Sequence, residues 1–321
     1  MDRVFLYIFG AGASCQVLPL AANFSARLAD CARALKDIGP EKPKDNGPKK
    51  VWYEDHNSFL QAITWLAQES SKHYSVDTFA KKLFFRRDNN NLKKLKAVLS
   101  AYLVIEQTKN NVDQRYDSFF ASILNHDSVG NLSLPDNIRI LTWNYDTQLD
   151  KAYYGFCENI SSVTEHITFN KNIYRVNGYC GTHPPGHIGQ TFNKMLKGHN
   201  ETIALQAGVE IYKEYMAGQT SVPADINFAW EDPTQNKLKN AGVNILSDVT
   251  DIVVIGYSFP YFNREIDDII FSNFGNLFSV YLQFPAGFHA AIEERIKKFL
   301  INDVQITHVE SSDLFFIPAD L

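Results

Sequence analysis

The sequence is poor in cysteine. Its 321 residues hold four, Cys15, Cys31, Cys157 and Cys180, scattered without a C-x-x-C pair. That spacing excludes a zinc ribbon and argues against a disulfide framework, so a reducing cytoplasm is the expected compartment. Long apolar runs are missing too. None approaches the ~20 residues a helix needs to cross a bilayer, and no membrane association is expected. Positive charge is in deficit. A net charge of −5 disfavours nucleic acid as a partner of the whole surface. The basic residues between Lys81 and Lys96, which include an Arg86-Arg87-Asp88-Asn89-Asn90-Asn91 loop, read as a solvated face. Asp2 and Arg3 run straight into a short apolar segment, without the long apolar region and small-residue cleavage site of a secretion signal. No internal repeat is visible.

What is present begins with Phe5-Leu6-Tyr7-Ile8-Phe9, a run of apolar β-formers that stops at Gly10-Ala11-Gly12-Ala13-Ser14. A buried strand ends this way, and so does the phosphate-side turn of a nucleotide-binding fold. Gly10 and Gly12 lack Cβ, so their backbone N–H groups could approach a pyrophosphate, and Ser14 could cap the next helix or bond to phosphate. Cys15 stands where the third glycine of G-x-G-x-x-G belongs. By itself the turn is equally well a tight strand-to-helix connection.

Further along, Leu20, Phe24, Leu28, Cys31 and Leu35 share a helical face. A polar, mobile loop follows from Gly39 to Pro48, and residues from about 50 to 128 read as all-helical. The period then changes. Strands are predicted at Ile138–Trp143, Ile173–Val176, Ile226–Trp230, Val249–Ile255, Val280–Phe284 and Val304–Val309. Helices are predicted at Asn263–Phe274 and 287–300, with residues 190–220 partly helical. Strands alternating with helices predict an α/β, Rossmann-like parallel sheet with flanking helices and a helical insertion at about 25–130 in one domain, 1–321. At least four strands end in polar or glycine-rich tips: Gly10–Ser14, Thr142–Asp146, Asn177-Gly178 and Gly256-Tyr257-Ser258. In a parallel sheet these tips share one edge, where ligands bind at the switch point of strand order. Four such tips raise nucleotide binding above the bland reading.

The ordered set Gly10-Ala11-Gly12-Ala13-Ser14, Thr142-Trp143-Asn144-Tyr145-Asp146 and Gly256-Tyr257-Ser258-Phe259 resembles the Sir2-like (sirtuin-fold) family. Trp230-Glu231-Asp232-Pro233 and Asn263-Arg264-Glu265-Ile266-Asp267 are similar to stretches of its bacterial anti-phage defence members. The resemblance spans nearly the whole chain. It implies that Gly10, Ala11, Gly12 and Ser14 cradle the pyrophosphate of NAD+ and that Gly256 and Ser258 lie by the adenosine half. It implies that Asn144 holds the nicotinamide ribose and positions the attacking water, and that Asp146 orients the ribose and nicotinamide end. Without that context, Asn144 and Asp146 read as ordinary turn and cap residues.

Two departures from the family stand out. The four-cysteine zinc module of sirtuin deacylases cannot be built here, which implies NAD+ as substrate and no zinc. And Asn177 occupies the position of the family's catalytic histidine, where an amide cannot act as a base near neutral pH. His183 and His187 in the following loop are the nearest substitutes, with His183 the candidate base. The commoner reading of both is a solvated loop histidine, and the prolines between them put them off a common helix face, against a metal pair. The resemblance therefore implies an NAD+ glycohydrolase that depletes NAD+ in anti-phage defence. No sensor is evident in the chain, so a separate activator protein, a nucleotide signal or homo-oligomerisation is expected to switch it on. The alternative is a non-catalytic NAD or ADP-ribose binding subunit.

Overall fold

The computed structural model describes residues 3–40, 48–126, 132–156, 172–181, 200–217, 226–231, 246–300, 304–310 and 313–321. Its centre is strand β1 (Phe5–Phe9), in which all five residues are buried. Side chains alternate across a strand, so Phe5, Tyr7 and Phe9 enter one apolar core and Leu6 and Ile8 enter another. A strand covered on both faces can be apolar throughout, which explains the unbroken run.

Strand β4 (Ile138–Thr142) pairs with one edge of β1 and β6 (Asp251–Ile255) with the other, both parallel. The sheet extends to β5 (Ile173–Arg175) on one side, and to β7 (Ser279–Gln283) and β8 (Gln305–Val309) on the other. Its order is β5-β4-β1-β6-β7-β8, every pair parallel. Counting sheet strands along the chain, this is 3-2-1-4-5-6, the order of doubly wound dinucleotide-binding folds. The expected α/β, Rossmann-like parallel sheet with flanking helices is therefore present. The order reverses between β1 and β6.

Among the described residues, five α-helices separate β1 from β4: α1 (Ala21–Asp37), α2 (Pro48–Ser70), α3 (Val76–Phe85), α4 (Asn89–Lys109) and α5 (Gln114–Ile123). With α6 (Gln148–Gly155) and α7 (Glu201–Ala217) they bury Phe24, Phe59, Tyr102 and Tyr153 over the Phe5–Phe9 face. The opposite face is covered by α8 (Arg264–Phe271) and α9 (His289–Ile296), through Ile266, Ile270, Ile292 and Ile296. No helix among the described residues is long and apolar enough to cross a membrane.

Several boundaries differ from the sequence expectation. The helical block ends at Ile123, and a two-stranded hairpin follows, β2 (Asn125–His126) with β3 (Leu132–Ser133). The Arg86–Asn91 loop shrinks to three residues. Asp88 accepts the Asn91 N–H at 3.2 Å, so the three asparagines form the first turn of α4. Ile226–Trp230 is no strand. It makes one antiparallel bridge, Ile226 to Gly178, and then turns: the Glu231 N–H donates to the Phe228 carbonyl at 2.9 Å, and Phe228 and Trp230 stack with centroids 4.9 Å apart, closer than the ~7 Å between such residues in a strand. Ser14 does not cap α1. A short 3-10 turn, Ala11–Ser14, intervenes, and α1 starts only after Pro19 and Leu20. Part of the Gly39–Pro48 loop, and residues 190–199, lie outside the described residues.

The glycines at the sheet edge are demanded by contact between the tips of β1 and β6. A Cβ on Gly12 would lie 2.7 Å from Gly256 Cα, and one on Gly256 would lie 2.5 Å from Gly12 Cα. Gly256 also has a φ of +66°, disfavoured for side chains by about 1–2 kcal/mol. Gly256→Ala should therefore lower the urea unfolding midpoint well beyond Gly287→Ala, whose φ is +93° with nothing within 4 Å. Equal shifts would refute a backbone joint at Gly256.

Candidate active site

The joined tips of β1 and β6 form the floor of a cavity of about 250 Å³ at the C-terminal edge of the sheet. It lies at the switch point, where each crossover leaves to a different side. Ala11 and Ser14 come from the β1 turn, Trp143 to Asp146 from the β4 tip, Asn177 from the β5 tip and Gly256 to Ser258 from the β6 tip. All four polar tips predicted from sequence thus supply the cavity wall.

Ser14, Asn144 and Asp146 meet there. Asn144 Nδ2 donates to Ser14 Oγ at 3.3 Å, and Tyr116 on α5 places its hydroxyl 3.2 Å from the same oxygen. Asp146 lines the same wall, its Oδ1 accepting the Gln148 N–H at 3.0 Å. With the serine oxygen accepting from Asn144 and Tyr116, its hydroxyl proton is left to turn toward Asp146 and favour its charge. Burial strips water from the Asp146 carboxyl and pushes it up to about 6, against the pull of its Gln148 and Ser14 hydrogen bonds.

The turn carrying Ser14 is held from beneath. Arg115 Nη2 donates to the carbonyls of Gly12 at 3.3 Å and Ala13 at 3.0 Å, and it pairs with buried Asp113 at 2.6 Å. Gly10 and Gly12 donate their own N–H groups to Ile255 and Gly256 carbonyls at 3.0 and 3.1 Å. These two amides are spent on the β1–β6 joint, so the glycines shape the site while Ala11 and Ser14 face it. Ser258 is exposed at the rim, its carbonyl accepting from Arg295 Nη1 at 2.7 Å.

Asn177 is a clamp. Its Nδ2 donates to the Trp143 carbonyl at 2.7 Å and its Oδ1 accepts the Ala229 N–H at 3.0 Å. The side chain thus fastens the β4 tip and the 226–231 segment to β5. His183 and His187 lie outside the described residues, as do Asp232 and Pro233. Glu231 pairs with Lys96 at 2.7 Å.

Sequence reasoning missed the insertion's contribution. Helix α3 lays its first turn, Ser75, Val76 and Asp77, along the cavity, and Asp77 accepts a hydrogen bond from the Tyr145 hydroxyl. Burial raises the Asp77 carboxyl above its usual range. The stretch Ser75-Val76-Asp77-Thr78 reads as a helix start, with Ser75 capping the Thr78 N–H at 3.2 Å. That local signal hides the second role. Tyr257 stacks on Trp143 with centroids 4.7 Å apart, and its hydroxyl donates to buried Asp267 at 2.9 Å. No family model matches the chain, and no curated protein matches it.

Asp146 makes a signed pH prediction. Its folded value of about 6 exceeds the unfolded value of about 3.9. Between them the native state keeps a proton that the unfolded chain has lost, so this group makes stability fall as pH rises through that window. Asp146→Asn retains an acceptor for Gln148 and removes the charge. It should flatten that part of the profile and stabilise the chain above about pH 6, as read from unfolding midpoints at pH 4, 5, 6 and 7. Parallel profiles for the two chains would contradict the burial argument.

Proposed function

We propose that the chain is an NAD+ glycohydrolase of the Sir2-like type, converting NAD+ to nicotinamide and ADP-ribose. The observation that carries this reading is the convergence of Ser14, Asn144 and Asp146, with Asn144 hydrogen-bonded to Ser14, at the switch-point cavity of a 3-2-1-4-5-6 sheet. Water adds to C1′ of the nicotinamide ribose, and the C1′–N bond breaks with its electron pair passing to the pyridine nitrogen. Nicotinamide leaves neutral, so no general acid is needed. The positive charge that spreads over the ribose in the transition state is stabilised by the Asp146 carboxylate. The Asn144 amide orients water and a ribose hydroxyl.

The proton released by water needs an acceptor. Asn177 cannot serve, since it is an amide and both ends of it are engaged. Asp146, at about 6, is largely ionised at neutral pH and close to the ideal for a base. We assign it both roles, taking the proton and passing it to solvent. In the cell the activity depletes NAD+ as an anti-phage effector, under control of a separate activator or of self-association. The saturated amide of Asn177 favours one second reading, a subunit that binds NAD+ or ADP-ribose without turnover.

Incubation with NAD+, alone and with the products of neighbouring genes, should release nicotinamide, detected by chromatography. Asn144→Ala and Asp146→Asn should each lower kcat by about 10²–10³. The acidic limb of the rate profile should fall near pH 6. Calorimetric binding of NAD+ with no nicotinamide under any condition would establish the binding subunit instead. Neither binding nor release from a folded chain would sink both readings.

A further inference from the structure

Several buried or half-buried acids of the fold are paired with cations: Asp113 with Arg115, Asp150 with Arg175, Glu106 with Arg27, Glu231 with Lys96 and Asp251 with Arg3. The acids of the cavity are not. Asp77 and Asp146 are lodged in the cavity wall, and among the described residues no lysine, arginine or histidine lines that wall. Their partners are neutral. The Tyr145 hydroxyl donates to Asp77 and the Gln148 N–H to Asp146, with the Ser75 and Ser14 hydroxyls beside them. Burial costs both carboxylates hydration, and no cation among the described residues of the wall offsets it.

Aromatic rings supply part of the remaining wall. Trp143, Tyr145 and Tyr257 line the cavity beside Leu99 and Leu103, and aromatic rings attract cations. The volume of about 250 Å³ falls below the ~300–1,000 Å³ of pockets that enclose drug-sized ligands. A pyridinium riboside fits that space. The rest of a dinucleotide would lie outside it, past the exposed Ser258.

We infer that the cavity is a half-site for cationic N-ribosyl pyridiniums, that Asp77 reads their positive charge, and that such ribosides are substrates without diphosphate or adenosine. This rests on the glycohydrolase reading and narrows its substrate class. The reaction balances in the same way. Water bonds to C1′, the C1′–N electrons go to the pyridine nitrogen, and the proton of water goes to Asp146. Cleavage also erases the charge that held the ring, so the neutral product is released more readily than the substrate.

The test uses the full chain and isothermal calorimetry with nicotinamide riboside and its neutral dihydro form, with nicotinamide release followed in parallel. The oxidised riboside should bind at least about tenfold more tightly than the reduced one. Asp77→Asn keeps an acceptor for Tyr145, and it should cut that ratio severalfold with little change in affinity for the reduced form, Asp146 and the aromatic rings holding the remainder. A purely structural role for Asp77 would weaken both ligands alike. Equal affinities in the parent chain, or an unchanged ratio in Asp77→Asn, would overturn the assignment. Cleavage of NAD+ without binding of the riboside would overturn the half-site and leave the glycohydrolase reading intact. Cleavage of the riboside but not of NAD+ would support the half-site and overturn the NAD+ reading.

Discussion

The structure depends on the contact between the ends of β1 and β6. There the backbones of Gly10 and Gly12 lie against Gly256 and Tyr257 at distances that leave no room for a Cβ. Two parallel strands whose crossovers leave in opposite directions open a crevice at this point. Closing its floor by backbone contact sets the depth of the cavity and the height at which Ser14 meets Asn144. Arg115 fixes the same turn from the other side through the carbonyls of Gly12 and Ala13. The turn is thus held by hydrogen bonds to three separate elements, β6, α5 and the β4 tip.

Polar groups around the cavity are bracketed in layers. Asn144 touches Ser14, and Ser14 touches Tyr116. Asn177 ties the β4 tip to the 226–231 segment. Gln107 on α4 accepts the Thr147 N–H at 2.9 Å, just beyond Asp146, and buried Lys151 donates to the Asn110 carbonyl near the end of the same helix at 2.8 Å. Such supports hold site residues in one rotamer and backbone setting. The acids they surround are the costly part. Asp146 and Asp77 are kept above their ordinary range by burial, a local instability of the kind that functional sites retain at the expense of folding energy.

Much of the sheet was legible because its strands are short, apolar and separated by helices, so period and punctuation agree. Strand tips could be read for the same reason: Asn144, Asn177 and Gly256 each follow directly on a strand run, and Asp146 comes two residues after Asn144. Errors fell where tertiary contacts override local pattern. Ile226–Trp230 has the residues of a strand, but stacking of Phe228 on Trp230 and the Asn177 bond to Ala229 fold it into a turn. Ser14 has the residue type of a helix cap, but its hydroxyl is claimed by Asn144 and Tyr116.

The sequence by itself determined the α/β class, the polar strand ends and their common edge, because alternation of period and polarity is local information. Only the tertiary structure decided the purpose of the glycines and the composition of the cavity. Gly10–Ser14 begins as a possible phosphate cradle, and in the fold the N–H groups of its two glycines serve the joint with β6 while Ala11 and Ser14 face the cavity. Asp77, Tyr116 and Arg115 belong to the insertion, far from the strand tips in sequence. Their places beside Tyr145, Ser14 and Ala13 follow from how five helices pack on one face of the sheet, and no local pattern encodes that.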